Sequence, residues 1–211
     1  MNINAEKIKE LVTKNFQKYN DLLENNVEEP RKTKIKKLVN HFGDRMILCP
    51  SSFREDYHCA FPGGWLEHVI RTYEYMLELN KLGEYKISPD SLTVVGLLHD
   101  VGKFGTISKP LFIPNTNDWE VKKGIMYSYN KEVPFMIPVH RSLWIIQKFQ
   151  IPLSSDEFSA ILLKNGASEN GNDKYLMNEP DLADLLYQSA KMAAKKAKDL
   201  YFNNSENSSP E

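Results

Sequence analysis

Cysteine is scarce in this chain: only Cys49 and Cys59 occur among 211 residues. That excludes a disulfide-stapled secreted scaffold, and in a reducing compartment the two read as free thiols. Charge of one sign is also missing, since 27 Lys and Arg face 28 Asp and Glu for a net charge of −1. With no global field to gather nucleic acid or anionic lipid, any phosphate must be held by a local site. No apolar run approaches the length of a membrane span, and the stretch from Met1 to Lys18 is charged and amphipathic. A soluble, cytoplasmic protein with no membrane partner is expected. Histidine is sparse as well, five in all, so each position is informative.

What is present is a chain with 41% apolar residues, long enough for one well-buried core. Residues 1–202 are expected to form a single helical domain, and the polar run 203–211 a disordered tail. Ile8, Leu11, Val12, Phe16, Tyr19, Leu22 and Leu23 recur at helical spacing and predict an N-terminal helix over about 5–24. Ile35, Leu38, Val39 and Phe42 mark a second helix that Gly43 ends, with Lys32, Lys34, Lys36 and Lys37 as its wet face. Met46 to Asp56 reads as a connecting segment. Pro62-Gly63-Gly64 then allows a tight turn into a helix from near Trp65, which places His68 in its first turn, beside amides that favour anions. Ser88-Pro89-Asp90 starts another helix, which runs to His99-Asp100 and ends at Gly102 and Gly105.

Between Lys109 and Pro138 the chain is irregular, with four prolines. Large residues around Lys123-Gly124 suggest a small hairpin, which either covers the mouth of a pocket or, as the plainer role, only decorates the packing. His140-Arg141-Ser142 opens a further helix. Ser154 to Glu157 caps one that runs to Asn165-Gly166, and the last begins at Glu179-Pro180-Asp181.

The chemistry centres on Leu97-Leu98-His99-Asp100-Val101-Gly102-Lys103, 31 residues after His68. An imidazole and a carboxylate side by side in an apolar run suit a divalent cation, with His68 as third ligand. The plain alternative for His99 is a core histidine satisfied by hydrogen bonds, which the adjacent Asp100 and the following Gly-Lys weigh against. Lys103 can neutralise a phosphoryl oxygen, or serve only as a charge partner at the helix C-terminus.

These residues resemble the HD-domain superfamily of metal-dependent phosphohydrolases. The wording Tyr57-His58-Cys59-Ala60-Phe61-Pro62-Gly63-Gly64-Trp65-Leu66-Glu67-His68 is similar to the HD domains of bacterial 3′-5′ exoribonucleases and related small phage proteins. The likeness covers about Arg31 to Ala197, a core of about 31–197. It implies an all-α HD-domain helical bundle with a small irregular or β-hairpin insertion, and one divalent metal ion, of which Mn, Mg, Fe, Co, Ni and Zn are all admissible. It further implies phosphoester hydrolysis on a nucleotide or short nucleic acid, with Asp100 and Lys103 in the catalytic set and His58 and His140 orienting substrate or moving protons.

The chain departs from the family pattern twice. Lys164-Asn165-Gly166 stands where relatives commonly read His-Asp-Gly, so a second-metal histidine has become a cation able to hold a phosphate oxygen. The distant metal-binding Asp falls on Ala190 in the favoured register, while a second register keeps Asp184 as ligand. Three ligands, His68, His99 and Asp100, can still hold an ion, more weakly. The rival expectation is a degenerate HD domain that binds a nucleotide or phosphate without catalysis, with Lys103 and Lys164 replacing the metal's charge. Di-iron oxygenase chemistry on the same scaffold needs more histidines than the chain has.

Overall fold

Several helix starts among the described residues are fixed by side-chain caps. In the computed structural model, which describes residues 3–166, 172–175 and 177–202, Asn4 caps α1 (Ala5–Asn26) by accepting from the Lys7 amide at 2.9 Å. Ser88 caps α5 (Pro89–Leu98) through the Ser91 amide at 3.1 Å, with proline at the first helical position. Ser154 and Glu157 form a reciprocal capping box on α8 (Ser155–Leu162). The remaining helices are α2 (Arg31–Phe42), α3 (Asp44–Leu48), α4 (Gly64–Leu82), α6 (Asp118–Lys122), α7 (Pro138–Lys148) and α9 (Asp181–Tyr201). The tail expected at 203–211 lies outside the described residues.

The architecture is mostly helical, with one two-stranded antiparallel sheet in which β1 (Phe112–Pro114) sets Phe112 opposite Tyr129 of β2 (Tyr127–Tyr129). A hairpin-like insertion is therefore present, but its strands are joined through α6 rather than by a tight turn at Lys123-Gly124. The segment read as a connector from Met46 begins inside α3.

α4 is the central helix, packed by α1, α5 and α9. Trp65, Leu66, Val69, Ile70, Tyr73 and Met76 are buried along it, and Tyr19, Leu23, Leu97, Leu98 and Leu186 come in from the other three. Each large apolar side chain removed from water contributes roughly 1.5–3 kcal/mol. Among the polar groups buried with this core, Glu67 accepts from Asn15 Nδ2 of α1 at 2.8 Å and from the Tyr201 hydroxyl of α9 at 2.9 Å. It also pairs with Arg71 one turn on, so a single buried carboxylate ties three helices together.

Two glycines set the approach to the site. Gly63, at φ +81°, adopts the left-handed conformation that starts α4, and a Cβ there would meet Val12 at 2.1 Å. Because α4 already begins at Gly64, His68 falls in its second turn, beyond the free amides expected to surround it. α5 stops at Leu98, and after His99 and Asp100 the chain tightens into a 3₁₀ turn over Val101–Phe104. Gly102 lies inside that turn rather than ending the helix. A Cβ on it would sit 2.1 Å from the Pro138 carbonyl, so glycine lets α7 close onto the turn. The Gly102 amide donates to Ser142 Oγ at 2.9 Å and fixes the contact.

Candidate metal centre

The change from α-helix to 3₁₀ turn aims two consecutive side chains, His99 and Asp100, at the flank of α4 that carries His68. Ligand atoms of the three lie within 4.8 Å of one another, and all three residues are buried. The Trp65 indole donates to the Asp100 carbonyl at 3.0 Å, tying the start of α4 to the turn that carries the carboxylate. Trp65 reads in the sequence as core alone; its positioning of Asp100 is legible only from the contact.

His99 Nδ1 lies 3.0 Å from the Gly96 carbonyl. A carbonyl only accepts, so Nδ1 carries the proton and Nε2 keeps its lone pair. That Nε2 is buried without a hydrogen-bond partner, as is His68 Nδ1. An imidazole whose other nitrogen donates to a backbone carbonyl, with its free lone pair facing a carboxylate, is the arrangement a metal-binding histidine adopts. Burial pushes the His99 pKa down to about 4, with Asp100 opposing and Lys164 adding to the shift. Burial, then His58 and Lys103, hold His68 well below its ordinary value. Both imidazoles are neutral at pH 7, so the group could hold a divalent ion.

Asp100 has other partners as well. Lys103 Nζ is 2.5 Å from Oδ2 in an ion pair without hydrogen-bond alignment, and Lys164 pairs with Oδ1. Burial alone would raise the Asp100 pKa, but the two ammonium groups overcome it and hold the carboxyl well below the usual range. Without an ion, two ammoniums and one carboxylate sum to +1, a charge that suits an anion. The donor set therefore fits a dication in kind and position, while the lysines compete with it for the same carboxylate.

These groups face a cleft of about 620 Å³. His58 lines it with its ring centroid 4.7 Å from that of His68. Ser51 Oγ accepts from Lys103 Nζ at 3.1 Å, so its hydroxyl is free to donate to His58 Nε2, 3.0 Å away. Burial, reinforced by Lys103, lowers the His58 pKa to about 3. Ser51 is a member of this relay that the sequence reading missed; only its neighbourhood to His58 hinted at it.

α9 forms a wall of the cleft through Tyr187, Ala190, Lys191 and Ala194, spaced as one helical face. Ala190 thus presents a methyl group to the cleft. Asp184 lies six residues earlier, about 9 Å along the axis and about 240° round it, where its carboxylate accepts from Gln188 Nε2 at 3.4 Å. Asp184 does not join the His-His-Asp group. His140, expected to face the site, is exposed and lines a separate groove with Leu143, Trp144 and Gln147. The reason is phase: Val139, Ser142 and Ile146 form the buried side of α7, which turns His140 outward.

Compared with protein-family models, with curated proteins and with solved structures, the chain has no match. No helix among the described residues is long and apolar enough to cross a membrane. Taken by itself, the molecule is a mostly helical protein whose buried His68, His99 and Asp100 could hold a metal ion.

Proposed function

We propose that this chain is a metal-dependent phosphohydrolase of the HD type, acting in the cytoplasm on a phosphoester of a nucleotide or short nucleic acid. The observations that carry the reading are the buried His99 Nε2 without a hydrogen-bond partner, its Nδ1 on the Gly96 carbonyl, and ligand atoms of His68, His99 and Asp100 within 4.8 Å of one another. A divalent ion bound there supplies Lewis acidity toward a phosphoryl oxygen and lowers the pKa of a water.

The chain's own groups do the rest. Lys103 and Lys164, each with little exposure at its head, hold the phosphoryl oxygens and offset developing negative charge. Neutral His58, with Nε2 accepting from Ser51 and Nδ1 protonated, is placed to donate a hydrogen bond to substrate in the cleft. Its lowered pKa makes it a poor reservoir of positive charge, so it orients substrate as a neutral donor. Two buried free cysteines agree with a reducing compartment.

A second reading is favoured by one observation: both Asp100 oxygens face ammonium groups, and the α9 wall offers Ala190 instead of a carboxylate. On this reading the cleft binds phosphate without metal or catalysis. Metal content and phosphate release, measured together on wild type and His99→Gln, divide the two. About one dication per chain and a release activity lost in the variant are expected. A protein that takes up no Mn²⁺, Mg²⁺, Fe²⁺, Co²⁺, Ni²⁺ or Zn²⁺ and releases no phosphate, yet binds phosphate in EDTA, establishes the module instead.

A further inference from the structure

The floor of the cleft accounts for a phosphate, but a space of about 620 Å³ exceeds what one phosphate fills. Its upper part is aromatic. Tyr57, from the loop before α4, and Tyr129, from β2 of the insertion, both line it and remain 50% and 54% exposed. Half-exposed rings at the mouth of a basic cleft leave area open for a ligand to cover. They are also held in place: Phe53 packs edge-on against Tyr57 at 5.7 Å and tilted against Tyr129 at 5.4 Å. Phe112 backs Tyr129 from the paired strand at 5.5 Å. Tyr187 on α9 is a third ring lining the cleft, with Lys191 Nζ 5.7 Å from its centroid.

The geometry points to a base-binding platform: Tyr57 and Tyr129 stack the nucleobase of a nucleoside monophosphate unit whose phosphate sits on Lys103 and Lys164, in a cleft that Tyr187 also lines. This rests on the reading that the cleft takes a phosphoester, and it adds what lies at the other end of the ligand. Rings fixed before binding lose little freedom when a flat base stacks on them, and stacking tolerates every base because each has a π-face. The chain's net charge of −1 argues against a long tracking surface, so one nucleotide unit, free or at a chain end, is the ligand.

Binding of inorganic phosphate, ribose 5-phosphate, the four nucleoside 5′-monophosphates and a 5′-phosphorylated tetranucleotide is measured by calorimetry in EDTA. The series is repeated with Mn²⁺ and non-hydrolysable phosphonate analogues. Nucleotides should bind roughly tenfold or more tightly than ribose 5-phosphate, with little preference among bases. Tyr57→Leu and Tyr129→Leu should erase that margin while leaving inorganic phosphate binding unchanged. Saturation-transfer NMR on the wild-type protein, which needs no variant to fold, should show the strongest saturation on base protons. A tetranucleotide that outbinds the mononucleotides and depends on the same tyrosines assigns the unit to a chain end. Equal binding of ribose 5-phosphate and nucleotides, or saturation confined to the ribose, overturns the platform while the phosphate site stands. Failure of every ligand, inorganic phosphate included, in both buffers removes the phosphoester reading itself.

Discussion

Lys164 and Ala190 decide how strongly this site can hold a cation. A dication sharing Asp100 with the Lys164 and Lys103 ammoniums meets a repulsion that low local dielectric makes worth kilocalories. Lys164→Met keeps length and stem packing but removes the charge and releases Oδ1. Metal affinity should then rise at least about tenfold by titration, at least about 1.4 kcal/mol. Ala190→Asp adds a carboxylate on the wall that faces the group and should tighten metal binding independently, with the two changes together giving the largest effect. If Lys164→Met leaves metal uptake unchanged or weaker, the ammonium is not a competitor for Asp100. The identities of His68, His99 and Asp100 were legible because polar ligands in apolar runs stand out. The engagement of Asp100 by Lys164 was not, because its 64-residue separation has no local signal.

At the scale of elements, the caps were the legible part and the short helices were not. Ser88 and Ser154 act within three residues, so a sequence window contains both partners, whereas the Asn4 cap of α1 was not read. α3 and α6 have five residues each, below the length at which periodicity shows; α3 is anchored by buried Met46, whereas α6 buries no residue and is capped by Asn117. Glu157 illustrates the limit. Its capping role at α8 is local, yet its carboxylate also accepts from Ser91 of α5 at 2.7 Å and pairs with Arg31 of α2 at 2.7 Å. Arg31 in turn pairs with Asp90, so one network joins the ends of three helices. Burial acts to raise the Glu157 pKa, but Arg31, Ser154 and Ser91 together hold it below the ordinary value. A lowered folded pKa means the network's contribution is complete above the usual glutamate range and fades as pH falls through the folded value. Glu157→Gln should cost roughly 1.5–3 kcal/mol at pH 7 by urea unfolding, because Arg31 keeps Asp90 but loses its second anionic partner. The gap to wild type should narrow toward pH 3. A gap that stays constant with pH would show that the side chain acts by packing alone.

For the whole molecule, the fold gathers three imidazoles around one cleft and keeps all of them neutral. Ring centroids of His58 and His68 are 4.7 Å apart and those of His68 and His99 are 5.7 Å apart. The helical class was readable from periodicity, but this convergence depends on α4, the turn after α5 and the loop before α4 meeting, which no sequence window contains. It carries a global consequence for the metal-free protein. In the unfolded chain each of these groups gains a proton near pH 6.5, whereas in the fold His58 and His99 resist until about 3 and about 4, and His68 lies well below its ordinary value too. Between those limits the unfolded state binds more protons, so stability is full above about pH 6.5 and falls as pH drops toward 4. The loss can reach about 1.4 kcal/mol per pH unit for each group. EDTA-treated protein should therefore lose stability well before its carboxylates titrate, with Asp100 and Glu157 contributing only at lower pH, since both folded values are depressed. Replacing His99 by Gln should flatten the upper part of that slope by up to one proton in denaturant melts across pH 4–7. A wild-type profile flat over this range would show that the fold protonates these imidazoles as readily as water does, and that burial does not keep their lone pairs free below about pH 6.5.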